Sequence, residues 1–229
     1  MLEQVSPSIW MWSEIHGEAR GEAYPWNSYL IRIPDEEEIV LVDPLPMSSE
    51  ELSYVEQTGI PTYIVLTCEY HLRHSEEWRK RWGCKILANE METLRYQTRL
   101  DGIFRDGQTL WNFIDAIYIP DLYFPETALR IREMGGVMIT GDLFSGGRKD
   151  LGIPEGNLAV TSPNYISDLS MTRKSLHTLL NFPFELMLFG HGHPVRDNPK
   201  RKMETYLQDD KIWAELEQEQ RHKPRQTAI

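Results

Sequence analysis

The sequence predicts an α/β fold, and three observations predict it. Apolar strands alternate with helix-patterned segments in the first third, short strands with glycine-bearing turns fill the middle, and an amphipathic helix leads into a late apolar strand. Ile39 to Pro44 is apolar on both faces, the mark of a central strand. Tyr63 to Thr67 is a second buried strand, and the segment between them opens with Ser48-Ser49-Glu50-Glu51, a serine cap with acidic first-turn residues. Strand, helix and strand in that order make a parallel crossover. At 229 residues the chain is long enough to bury a sizeable core as one domain, predicted over residues 1–217, with no internal repeat and no linker.

The remaining elements follow in order. Trp10 to Trp12 opens the chain as a strand, Asn27 to Ile33 forms the next, and Pro34-Asp35 with three glutamates turns in solvent. A helical pattern runs from His71 to Trp82 and stops at Gly83, followed by a short strand at Lys85 to Ala88 and a short helix from Glu90 to Tyr96. Asp106-Gly107 reads as a hairpin turn. Ile114 to Ile119, Thr127 to Ile131 and Val137 to Thr140 read as a meander, with Gly135-Gly136 turning the last pair. Leu158 to Thr161 is a further short strand, Asp168 to Leu180 a helix, and Leu186 to Phe189 the last strand. A final helix spans Pro199 to Glu217, and the charged tail from Gln218 to Ile229 is expected to be disordered.

Composition narrows the function. A formal net charge of −11 argues against nucleic-acid and anionic-membrane partners. No apolar run approaches a membrane span and no leader pattern opens the chain. The two cysteines, Cys68 and Cys84, lack metal-knuckle spacing, which points to a reducing, cytoplasmic setting with both as small buried side chains. Gly146-Gly147 lacks the spacing of a phosphate-binding loop, and Ser145 has no nucleophile-elbow context.

Three apolar strands end abruptly in ionisable residues: Thr67-Cys68-Glu69-Tyr70-His71, Thr140-Gly141-Asp142, and Phe189-Gly190-His191-Gly192-His193. Ligands collect at the carboxyl ends of strands in α/β sheets. Imidazole and carboxylate groups converging there suit zinc, iron or manganese. Each residue also has a plainer reading: His71 as a helix start, Asp142 as a loop cap, Glu69 and Tyr70 as a polar loop with a packed aromatic, His74 as a solvated helix position and Arg73 as a solvated or salt-bridged arginine. Trp10, Trp12 and Trp26 read as packing residues or cleft wall.

These pieces, in this order, resemble the metallo-β-lactamase superfamily from about Trp10 to Leu207. The resemblance rests on Asn27-Ser28-Tyr29-Leu30-Ile31, Leu41-Val42-Asp43-Pro44, Asp106-Gly107, Gly141-Asp142 and Phe189-Gly190-His191-Gly192. It implies an αββα sandwich of two mixed sheets flanked by helices. It also implies that Asp142 and His191 are metal ligands. The family's His-x-His-x-Asp-His signature is not present after Thr67. One alignment gives His71 the last histidine's place and Tyr70 the aspartate's; another sets His71 and His74 on the second and third histidines, with Glu69 and Arg73 at the first histidine and the aspartate. The mid-chain histidine is missing from Pro120 to Thr127.

The resemblance therefore implies a reduced site with one divalent metal, zinc first, with iron or manganese as alternatives, held by His71, Asp142 and His191. Tyr70, Glu69 and His193 are the expected catalytic groups for protons or a developing oxyanion. The implied activity is a hydrolase acting on a small-molecule ester, thioester, lactone or phosphoester. The competing expectation is a non-catalytic binding protein of the same fold without a catalytic metal.

Overall fold

The computed structural model describes residues 2–16, 24–120, 125–133 and 135–222. The first sheet has seven strands in chain order: β1 (Glu3–Ser6), β2 (Ile9–His16), β3 (Tyr24–Arg32), β4 (Ile39–Val42), β5 (Tyr63–Val65), β6 (Lys85–Asn89) and β7 (Gly102–Phe104). Strands β1 to β4 pair antiparallel, and β4 to β7 pair parallel. Helices α1 (Ser49–Thr58) and α2 (Ser75–Trp82) lie in the crossovers on either side of β5. Ser48 and Glu51 form a reciprocal capping box at the start of α1, satisfying amides that the first turn leaves free.

The second sheet is ordered β14-β11-β10-β9-β8, from β8 (Thr109–Leu110), β9 (Ile114–Ile119), β10 (Glu126–Ile131), β11 (Val137–Thr140) and β14 (Leu186–Phe189). Its strands pair antiparallel except β11 with β14, which are parallel. A two-stranded ribbon, β12 (Phe144–Ser145) and β13 (Ala159–Val160), follows β11. Helices α3 (Leu169–His177), α4 (Pro199–Gln208) and α5 (Asp210–His222) complete the chain.

Strand periodicity explains the layers. Tyr29, Ile31, Val40 and Val42 point between the sheets and meet Ile114, Leu129, Ile139 and Leu188. Their neighbours Leu30, Ile39 and Leu41 face outward with Val55 of α1 and Trp78 of α2. On the other side Ala128, Met138, Met187 and Phe189 pack with Leu169, Leu176, Met203 and Trp213. Each fully buried aliphatic side chain contributes roughly 1.5–3 kcal/mol. The result is the αββα sandwich with two mixed sheets. No helix among the described residues is long and apolar enough to cross a membrane.

Several expectations change. Asp106-Gly107 does not close a hairpin: Gly107 turns at φ +72, but β7 lies in the first sheet and β8 in the second, so the turn carries the chain between sheets. The helix expected from His71 starts later. Glu69–Leu72 forms a 3-10 turn, Arg73 takes φ +42, and α2 begins at Ser75 and ends with Gly83 in the left-handed conformation. The helix after β6 is shortened to one 3-10 turn, Glu90–Glu92. The final helix is two helices broken at Asp209, and Gln218 to His222 belong to α5; residues 223–229 lie outside the described residues. Residues 121–124 of the histidine-free mid-chain stretch also lie outside them.

Candidate metal centre

The site sits where β5, β11 and β14 end. The β3 residues Asn27 and Tyr29 clamp the two sheets together there. Asn27 Nδ2 donates to the carbonyls of Phe189 (2.9 Å) and Gly192 (2.7 Å), and the Tyr29 hydroxyl donates to Phe189 O at 2.6 Å. This fixes the loop that carries His191. Gly190 is required by close approach: a Cβ there would stand 2.6 Å from Gly141 O and 2.7 Å from His71 Cε1.

Asp43 ends β4 with φ +50, a conformation aspartate tolerates better than most residues. That turn points its carboxylate under the site. Oδ1 accepts from Thr67 N at 2.8 Å, and Oδ2 accepts from Thr67 Oγ1 and stands 2.8 Å from His71 Nδ1. A carboxylate on Nδ1 holds a proton there and turns Nε2 toward the site, the orientation of a metal-ligating histidine. Arg73 Nη1 braces the same corner by donating to Asn27 O (2.7 Å) and Asp43 O (3.1 Å).

Three side chains then converge. His71 Nε2 stands 3.2 Å from Asp142 Oδ1, and His191 Nε2 stands 2.7 Å from the same oxygen. Both imidazoles are buried, whereas Asp142 is partly open to the cleft above. Burial opposes ionisation of Asp142, yet His71 and His191 hold its carboxyl well below the ordinary carboxylate range. Burial also opposes charge on His71, but the Asp142 and Asp43 carboxylates, with Cys68, hold it well above 6.5. Burial dominates at His191 and pulls it down to about 4, so this ring is neutral, as a ligand must be. Sγ of Cys68 lies 3.9 Å from Asp142 Oδ2. Ligand atoms of Cys68, His71 and Asp142 lie within 4.8 Å of one another. Imidazole nitrogen, carboxylate oxygen and sulfur at this spacing fit a divalent transition metal.

Of the residues singled out from sequence, His71, Asp142 and His191 are brought together. Tyr70 is 53% exposed and stands on the rim of the cleft. Glu69 is turned to Arg95 (3.2 Å), and His193 is exposed, with its backbone paired to Gly147. His74 sits at the N-terminal boundary of α2, its Nε2 4.0 Å from Glu77. Trp10 and Trp12 pack in the outer core, while Trp26 lines the cleft. Sequence reading missed Cys68, Asp43 and Glu126. Asp43 carried two signals, its place just after an apolar strand and its part in Leu41-Val42-Asp43-Pro44. Glu126 carried none: it is fully buried at the start of β10 and accepts from the amides of Gly141 (3.2 Å), Asp142 (2.7 Å) and Leu143 (2.7 Å), shaping the loop that aims Asp142.

The cleft has a volume of about 450 Å³, with Tyr24, Trp26, Tyr70, Tyr165 and Leu151 as its wall and His71, Asp142 and His191 as its floor. Trp26 meets the His191 ring edge-on at 5.3 Å. Among the described lining residues Arg148 is the lone arginine or lysine. Its guanidinium lies 3.8 Å over the Tyr24 ring and pairs in bidentate fashion with Asp150.

The fold and this donor set define a metallohydrolase-like αββα protein. The chain belongs to the metallo-β-lactamase superfamily, whose family model matches residues 1–207. The fold is shared by a metallo-β-lactamase from Hirschia baltica (12% identity, TM-score 0.67, covering 90% of this chain and 97% of that one). It is shared too by a putative diflavin flavoprotein fragment from a Nostoc species (13%, 0.68, 97% and 98%). The flavodiiron core of Flv1 from a Synechocystis species also matches (12%, 0.69, 94% and 61%). A comparison with curated proteins gives no match. Family membership supports a metal-binding, metal-dependent hydrolase-like protein.

Two predictions arise here. Asp43→Asn keeps the backbone turn but removes the charge that orients His71, and should weaken divalent-metal affinity about 10–100-fold. A metal titration against a competing chelator checks this; unchanged affinity would remove Asp43 from the site. The second concerns Glu92, which is fully buried, with no partner for either carboxylate oxygen among the described residues. Burial, then the Glu126 charge, push it up from 4.5 to about 9. The folded chain therefore holds a proton that the unfolded chain releases, so stability falls as pH rises from about 4.5 to about 9. Glu92→Gln should flatten that decline by up to about 1.4 kcal/mol per pH unit, measured by urea unfolding at several pH values. An unchanged slope would show that Glu92 is ionised in the fold.

Proposed function

We propose that this chain is a metal-dependent hydrolase with a one-metal site held by His71, Asp142 and His191. The observation that carries the reading is the meeting of two imidazole Nε2 atoms on one carboxylate oxygen at the floor of an aromatic cleft. A divalent cation, zinc by the donor set, would acidify a water and polarise the scissile bond there. The rest falls to the chain's own residues. Asp43 holds the proton on His71 Nδ1, Glu126 holds the Asp142 loop, and the cleft rings exclude water from one side of the substrate. Tyr70, on the cleft rim, would donate its hydroxyl to a developing oxyanion. Glu69 and His193 are engaged or turned elsewhere.

The cleft wall favours an ester, thioester or lactone bearing an apolar or planar group. A phosphoester is disfavoured, because the arginine of the described lining is already neutralised by Asp150. A substrate panel tests this. Zinc-loaded protein should hydrolyse an aryl ester, a thioester or a lactone, lose that activity with chelator, and lack it as His191→Ala. Absence of chelator-sensitive turnover on every member of the panel would count against the hydrolase and favour a binding protein of the same fold.

A further inference from the structure

Cys68 is not one of the three ligands named in the proposed function, yet its sulfur borders them. It follows β5 and is fully buried, and its Sγ faces Asp142 Oδ2 while both imidazoles face Oδ1. The sulfur, the carboxylate and the His71 ring are thus mutual neighbours. Cys68, His71 and Asp142 form a compact trio, with ligand atoms within 4.8 Å of one another. The second cysteine offers a contrast: Cys84 is buried in the helix-facing core, and its thiol donates to Pro61 O at 3.2 Å.

Charge points the same way. Arg73 stands at this corner with Nη1 on the Asp43 backbone carbonyl, and the Asp43 carboxylate faces His71. A dication held by neutral imidazoles and the single Asp142 carboxylate would leave one uncompensated positive charge among buried groups, which is costly. A second anion beside the cation lowers that cost, and Cys68 is the remaining side chain in the trio that can supply one.

We propose that Cys68 binds the cation as a thiolate, completing a Cys68–His71–Asp142 trio to which His191 adds a further nitrogen. The bond formed is sulfur to metal, the bond broken is S–H, and the proton leaves to solvent. A sulfur, nitrogen and oxygen donor set selects zinc over magnesium, calcium or manganese. The inference rests on the metal-site reading above and names a ligand that reading does not contain.

Cobalt(II) titration of the full chain separates the two. Wild-type protein should show visible ligand-field bands together with a near-ultraviolet sulfur-to-cobalt charge-transfer band. Cys68→Ser should lose the charge-transfer band, keep the visible bands, and bind about tenfold more weakly or worse. Cys84→Ser should leave both features intact. Visible bands without charge transfer in the wild type, or loss of charge transfer in Cys84→Ser instead, would overturn the thiolate while leaving the metal site standing. No cobalt uptake at all would remove the metal site and the thiolate with it. If Cys68→Ser fails to fold, X-ray absorption on zinc-loaded wild type decides: a sulfur neighbour at about 2.3 Å supports the thiolate, and an all nitrogen and oxygen shell rejects it.

Discussion

Asp142→Asn should lower divalent-metal affinity by more than the roughly 100-fold that loss of an outer partner costs, and should do so without unfolding the chain. Asp142 Oδ1 is the atom on which His71 and His191 both converge, and Oδ2 is the atom that Cys68 faces. Removing its charge therefore strips the centre from the donor set rather than one edge of it. Asparagine keeps the backbone amide that donates to Glu126 and nearly the same volume, so the loop should hold. Chelator competition measures the affinity, and far-ultraviolet circular dichroism with a urea midpoint measures the fold. A variant that binds metal as the wild type does would place the metal elsewhere.

The second large effect is on stability. Glu126→Ala leaves the amides of Gly141, Asp142 and Leu143 without their acceptor in a fully buried place. Each orphaned donor costs about 1 kcal/mol or more, so the variant should lose on the order of 3 kcal/mol. Glu126→Gln keeps an oxygen for the Asp142 and Leu143 amides but turns an NH₂ toward Gly141 N–H, and should cost about half as much. Burial, with the Asp142 charge adding to it, pushes Glu126 up to about 8. Its folded-state value is raised, so stability declines as pH rises from its ordinary 4.5 to about 8, and Glu126→Gln should remove that part of the decline. Urea unfolding of both variants at pH 5 and pH 8 (conditions at about the two ends of this window) checks the prediction. An alanine variant as stable as the wild type would mean that the loop finds other acceptors.

The fold was legible because burial imposes a period of two on every strand. Tyr29 and Ile31 face one core while Leu30 faces the other, and the same alternation separates Met187 from Leu188. Partner choice was less legible. Nothing local to Asp106-Gly107 tells whether the next strand joins the same sheet, since pairing is decided by which sheet buries Leu110 and Ile114. The break at Arg73 was hidden because a positive φ in a non-glycine residue is stabilised by tertiary bonds, here from Nη1 to Asn27 O and Asp43 O. At the site, ionisable residues at strand ends were visible in one dimension, and that led to His71, Asp142 and His191. Glu126 was not visible, because a glutamate opening a strand ordinarily faces water. Its burial depends on three amides 15 to 17 residues further along the chain. Cys68 read as a small buried side chain, which it is; its closeness to Asp142 depends on β5 and β11 coming from different sheets.

Metal stoichiometry tests the central claim most directly. Elemental mass spectrometry of protein purified without added metal, beside a His71→Ala/His191→Ala double variant shown to be folded, should give about one zinc per wild-type chain and none in the variant. No stoichiometric metal in the wild type, even after reconstitution with zinc, iron and manganese, would contradict it, and the cleft above Asp142 would then belong to a binding protein.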